Sequence, residues 1–152
     1  MAIGWNTFTG HEGSHPDWAN PEYAHDGDTG SKSTTFMYGL GPSEWLYVTC
    51  DPTAEATEVR FLFRSTDIGW VFPFWRIEAN VDGGWYVGTG GYSNSPIWRG
   101  VSFPAGTLTQ ARFQIFTYYS HAYNTVWVYE AQFYTPGDWP PTIVGQTYFF
   151  LA

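Results

Sequence analysis

Thr57–Arg64 places Val59, Phe61 and Phe63 on one side of the chain and Arg60, Leu62 and Arg64 on the other. That two-residue period suits an extended strand with one face in a core and one in water. Trp75–Val81 repeats it, with Trp75, Ile77, Ala79 and Val81 against Arg76, Glu78 and Asn80. Thr109–Phe116 does so again, with Ala111, Phe113 and Ile115 against Arg112 and Gln114. Thr34–Tyr38, Glu44–Cys50, Trp85–Val87, Ile97–Phe103 and Thr125–Tyr134 read as further strands, rich in aromatic and β-branched residues. Gly39–Pro42, Asp51–Thr53, Asp82–Gly84 and Pro104–Gly106 read as the turns between them, the third as a hairpin. About eight strands at this spacing predict an all-β, jelly-roll β-sandwich. Composition agrees: aromatic residues make up 21% and charged residues only 13%, which leaves little for long helices.

The 152 residues suit one domain. Residues 1–17 read as an N-terminal arm, 18–135 as the sandwich, and 136–152 as a C-terminal tail. The tail holds Trp139 and the apolar run Tyr148, Phe149, Phe150 and Leu151, which must pack somewhere. It either lies on its own domain as a last strand or docks on a neighbouring subunit.

A formal charge of −8 with six Lys and Arg gives no basic stripe for nucleic acid. No run approaches the roughly 20 apolar residues of a membrane-spanning helix. Cys50 is alone and reads as a small buried hydrophobe on a strand. Met1–Asn6 has neither the basic nor the apolar part of a secretion signal. The chain therefore stays in the cell that makes it, leaves by another route such as on a virus particle, or has lost a leader.

Trp18–Ser31 concentrates carboxylates, hydroxyls and glycines around Asp26-Gly27-Asp28, a composition that suits a hard, oxygen-ligated cation or a tightly tied turn. His11 and His15, near Glu12 and Asp17, have a spacing that ligates metal on a helix, but Gly10, Gly13 and Pro16 forbid that helix, so they read as a solvated loop. Glu58 and Glu78 stand beside arginines and read as cross-strand surface pairs. No nucleophile elbow or phosphate-binding loop is present, and the chain is read as non-enzymatic.

Three stretches together resemble the galactose-binding-like superfamily, which includes discoidin domains, coagulation-factor C-type domains and many carbohydrate-binding modules. Asn20-Pro21 and Ala24-His-Asp-Gly-Asp28 resemble its early Ala-x-Asp-Gly turn. Glu44-Trp-Leu-Tyr-Val48, followed by Glu58-Val-Arg-Phe-Leu-Phe63, resembles its "polar-Trp-Leu-x-Val" strand and the alternating one after it. Val126-Trp-Val-Tyr-Glu130 resembles its last strand. The likeness extends, less specifically, to short stand-alone domains among phage structural proteins. It implies a structural Ca²⁺ held by Asp26, Asp28, Thr29 or Ser31, and Glu130, with Lys32 as the alternative neutraliser of Asp26 or Asp28.

The resemblance also implies glycan recognition by loops at one end of the sandwich. Trp70, Phe72 and Phe74 fall in one such loop, Tyr92 and Asn94 in a second, and Tyr118, Tyr119, His121, Tyr123 and Asn124 in a third. Aromatic faces stack on sugar rings while polar tips take hydroxyls, although such clusters serve subunit interfaces equally well. Two functions follow as expectations. One is a structural or decorating subunit on the surface of a large assembly such as a virion, associating with itself or with other structural proteins. The other is a lectin-like module that binds a neutral glycan. Either places the chain on a virion or an extracellular surface.

Overall fold

A computed structural model describes residues 2–38, 41–66, 74–91, 93–117 and 123–137. The described chain is almost entirely antiparallel β: β1 Gly4–Thr7, β2 Ser33–Tyr38, β3 Gly41–Pro42, β4 Leu46–Ser65, β5 Phe74–Val81, β6 Gly84–Gly91, β7 Ile97–Thr117 and β8 Tyr123–Thr135. A single 3-10 turn, Pro21–Ala24, precedes β2. The strand order is β1-β8-β4-β7-β5-β6, with β2 added to β8 and β3 to β7.

β4 and β7 carry the architecture. The sequence breaks each into two strands, at Asp51–Thr53 and at Pro104–Gly106, whereas the structure runs each as one long strand of 20 and 21 residues. The two irregularities are neighbours along the β4–β7 ladder: residues 50–53 bulge between the pairs Thr49–Gln110 and Ala54–Leu108, and residues 103–105 between the pairs Ala56–Gly106 and Glu58–Ser102. Bulges bend strands, and here both strands bend together. Their outer halves therefore belong to different layers: Glu58–Ser65 pairs with β8, while Gln110–Phe116 pairs with β5.

The core fills the space between these layers. Phe61 and Phe63 of one layer meet Phe113 of the other at ring-centroid distances of 5.5 and 5.0 Å. Phe8 packs edge-on against Phe133, and Trp18 against Phe113, so the N-terminal segment plugs the sandwich as well as crossing it. Trp18 is buried with its indole N–H donated to the Glu44 carbonyl at 2.8 Å. Residues 4–7 of the expected arm are a paired strand, with Trp5 opposite Tyr134. The Asp82-Gly83 turn forms as its residue types predict, with φ of 52° and 82°. Cys50 is buried, and burial pushes its thiol up to about 12. Glu78 differs from the expectation of a surface pair, being buried between Arg76 and Arg112.

Candidate functional site

The strand ends that flank the three expected aromatic loops gather at one end of the sandwich. Phe74 pairs with Gly91 on one side and Phe116 on the other. The Ser65 N–H donates to the Ser93 carbonyl at 2.8 Å, and the Thr66 N–H to the Thr125 carbonyl at 3.0 Å. Tyr38 pairs with Tyr123, and Gly41 with Thr117. Of the expected sugar contacts, Trp70, Phe72, Tyr92, Tyr118, Tyr119 and His121 lie outside the described residues. Tyr123 begins β8, and Asn94 is exposed in the turn that leads to β7. Asn124 is buried, with its amide oxygen taken by the Thr66 hydroxyl at 2.9 Å. Trp139, Tyr148, Phe149, Phe150 and Leu151 also fall outside the described residues.

At this end an open cleft of about 510 Å³ lies on the outer face of the β3–β7–β5–β6 layer. Its lining includes Pro42, Phe74 and Phe116 as apolar surfaces and Arg76, Thr89 and Gln114 as polar ones. Register explains the grouping: Phe116 stands opposite Pro42 and Phe74, and Arg76 stands opposite both Gln114 and Thr89. Alternation turns Trp75 and Ile77 inward and leaves Phe74 and Arg76 outward.

The polar groups are positioned in advance. Gln114 is buried and its amide nitrogen donates to the Ser43 carbonyl at 3.2 Å, which fixes the orientation of its side-chain oxygen. Arg76 is held through Nε by the Glu78 carboxylate. Next to the cleft, Trp45 and Trp85 stack on either side of the Arg112 guanidinium, at 4.2 and 4.1 Å, and screen Glu78 from solvent.

A second constellation lies at the Asp26 loop, seven positions along β8 from the gathered ends and so roughly 20 Å away. Asp26 Oδ1 accepts from the Asp28 N–H at 2.9 Å, and Asp28 Oδ1 from the Gly30 N–H at 2.7 Å. Both are Asx turns that tie the loop to itself. Glu130 is fully buried; its Oε2 accepts from the Gly27 N–H at 3.1 Å, while its Oε1 is buried with no partner among the described residues. Burial pushes the Glu130 carboxyl up to about 8; the Asp26 and Asp28 charges act in the same direction, and the Gly27 N–H opposes them. Among the described residues Lys32 makes no ion pair with Asp26 or Asp28, and its ammonium stands 6.0 Å from the centre of the Trp127 ring.

The orphaned Glu130 oxygen lies behind a loop of carboxylates, carbonyls and the exposed Thr29, hard donors of the kind Ca²⁺ takes, although Asp26, Asp28 and Glu130 do not draw together within 4.8 Å as His15, Asp17 and Glu44 do. The histidines are used otherwise than their spacing suggests. His11 Nδ1 meets His25 Nε2 at 2.9 Å, while His15 joins Asp17 and Glu44 in an exposed cluster. The sequence sets Asp17 beside His15 but carries no signal for His25 or Glu44, which come from other segments of the chain.

No family model and no curated sequence matches the chain. Solved structures do resemble it. The family 32 carbohydrate-binding module of AlyQ, solved with 4,5-unsaturated mannuronic acid, superposes with a TM-score of 0.54 at 14% identity, over 88% of this chain and 98% of that one. The chitosan-binding module 1 of a chitosanase/glucanase from Paenibacillus sp. IK-5 gives 0.54 at 18% identity, over 85% and 96%. A third module, from a family 31 glycoside hydrolase of Clostridium perfringens, gives 0.53 at 16% identity, over 87% and 91%. The chain thus shares the β-sandwich fold of these carbohydrate-binding modules, the fold class that the sequence motifs imply. These likenesses show the fold, and none of them bears on display on a virion.

Proposed function

We propose that the protein is a non-catalytic carbohydrate-binding module that holds a glycan in the cleft at the gathered end of the sandwich. The cleft carries the proposal, because it joins ring-sized apolar surfaces (Phe74, Phe116, Pro42) to polar side chains that are already oriented (Arg76, Gln114). A sugar needs both: aliphatic ring faces pack on aromatic carbon while hydroxyls take fixed donors and acceptors. Pre-ordering those groups lowers the entropic cost of binding. The fold it shares with solved carbohydrate-binding modules supports the reading. A glycan array and affinity electrophoresis on soluble polysaccharides test it. Phe74→Ala and Gln114→Ala should each weaken binding about tenfold or more; no ligand above background, or unchanged binding in both variants, rules the cleft out.

A structural Ca²⁺ at the Asp26 loop completes this reading. Glu130, Asp26, Asp28 and Thr29 would hold it, and its charge would satisfy the buried Glu130 oxygen. An extracellular or particle-surface location is where such a module would meet its glycans.

A further inference from the structure

The cleft sits beside an unbalanced group of charges. The buried Glu78 carboxylate faces two guanidiniums: Arg112 donates to Oε1 through Nε at 2.8 Å and through Nη2, and Arg76 donates to Oε2 through Nε. Burial works to raise the Glu78 carboxyl, but the hydrogen bonds from Arg112 and Arg76 more than reverse it and hold it below the ordinary range. One fixed negative charge therefore meets two positive ones, and one positive charge is left over.

The two arginines are not equivalent. Arg112 is enclosed, with Trp45 and Trp85 on its faces and its Nη1 given to the Tyr47 hydroxyl at 2.7 Å. Arg76 lines the cleft with 45% of its side chain exposed. Among the described residues its only recorded partner is Glu78, through Nε, which leaves both terminal nitrogens for another acceptor.

We infer that the cleft selects an acidic sugar, one whose ring bears a carboxylate or a sulfate, with the terminal nitrogens of Arg76 as the anion contact beside Phe74 and Phe116. The inference rests on the glycan-binding reading and replaces the neutral glycan expected from sequence. A guanidinium matches a planar carboxylate through two parallel hydrogen bonds, and its partner Glu78 holds it in place before the ligand arrives. The chain's formal charge of −8 opposes an anionic ligand at long range. That field is screened within about 8 Å at physiological ionic strength, so the group that touches the anion decides.

The test titrates the full chain, by calorimetry, with tetrasaccharides of several uronate backbones (galacturonate, guluronate, mannuronate), each paired with its methyl ester. Sulfated galactan oligosaccharides and a neutral glycan array run alongside. At least one acidic member should bind about tenfold or more tighter than its uncharged counterpart, the scale of a hydrogen bond to a charged group. Arg76→Gln should abolish that preference, and Arg76→Lys should restore part of it. Preference for sulfated over uronate members keeps the anion contact and assigns it to sulfate. Equal binding of charged and uncharged partners, or an undiminished preference in Arg76→Gln with its melting temperature unchanged, overturns the inference while leaving glycan binding intact. No binding to any probe overturns the glycan-binding reading and this inference with it.

Discussion

Arg112 touches four side chains, and each contact answers a different need. Glu78 supplies its countercharge, Tyr47 takes a donor, and Trp45 and Trp85 cover its faces. Replacing it by Met should cost about 3–5 kcal/mol in denaturant titrations, mainly because a buried carboxylate loses its enclosed partner. A loss under about 1 kcal/mol would show that Arg76 alone suffices. Acidity gives a second handle on the same group. The Glu78 pKa is lowered in the folded chain, so the fold takes up its proton only below the pH at which the unfolded chain does. Its contribution is present above the unfolded value and disappears as pH falls through the lowered folded one. Melting curves from pH 6 downward should therefore fall more steeply for the wild type than for Glu78→Gln, and parallel curves would refute the assignment. None of this was legible locally. The neighbours Arg76 and Glu78 suggest a surface pair, and burial follows only once Arg112, on a strand far along the chain, is brought into register.

At the scale of elements, alternation was a reliable guide to the core face, and Val59, Phe61, Phe63, Trp75, Ile77, Ala79 and Val81 are buried as their periods require, while Glu78 on the opposite face is buried contrary to its period. Continuity was not legible, because Asp51-Pro52 and Pro104–Gly106 carry turn residues that the structure uses as paired bulges inside two long strands. Nor was the cleft: Phe74, Phe116 and Pro42 meet only through the register of β3, β5 and β7. Gly100 marks a close approach between β4 and β7. It stands opposite Arg60, and a Cβ there would collide with the Val59 carbonyl oxygen and crowd the Arg60 backbone. Gly100→Ala should cost about 1–3 kcal/mol, since a backbone atom yields less readily than a side-chain tip. A stability equal to wild type would mean that β4 and β7 can separate locally without loss. The same region carries a cross-strand clamp, in which the Arg60 guanidinium lies between Trp5 at 3.7 Å and Trp98 at 4.1 Å and bonds Gln132 on β8. This contact between first strand and middle strands had no signal beyond the residue types, because Trp5 stands outside any periodic run.

Across the whole molecule, the Asp26 loop joins the beginning of the sandwich to its last strand through the Gly27–Glu130 hydrogen bond, 103 positions apart. That bond satisfies one carboxylate oxygen and leaves the other buried without a partner, in the field of Asp26 and Asp28. Without a cation this arrangement is costly, since burial disfavours the ionised carboxyl and the Asp26 and Asp28 charges add to it. The Ca²⁺ ion proposed above would change that balance at a single point and would tie loop to strand. Because an ion that binds only the folded chain stabilises it in proportion to the logarithm of its concentration, the melting temperature should rise with added Ca²⁺ and fall with chelator. Glu130→Gln makes the comparison decisive. It removes a buried carboxyl that the fold must keep protonated in the absence of an ion while keeping an oxygen for the Gly27 N–H, so the chelated variant should melt at or above the chelated wild type and should lose the response to Ca²⁺. An unchanged wild-type melt with chelator would show that the loop closes the sandwich by its Asx turns alone. Equal Ca²⁺ responses in the two proteins would place any ion away from Glu130.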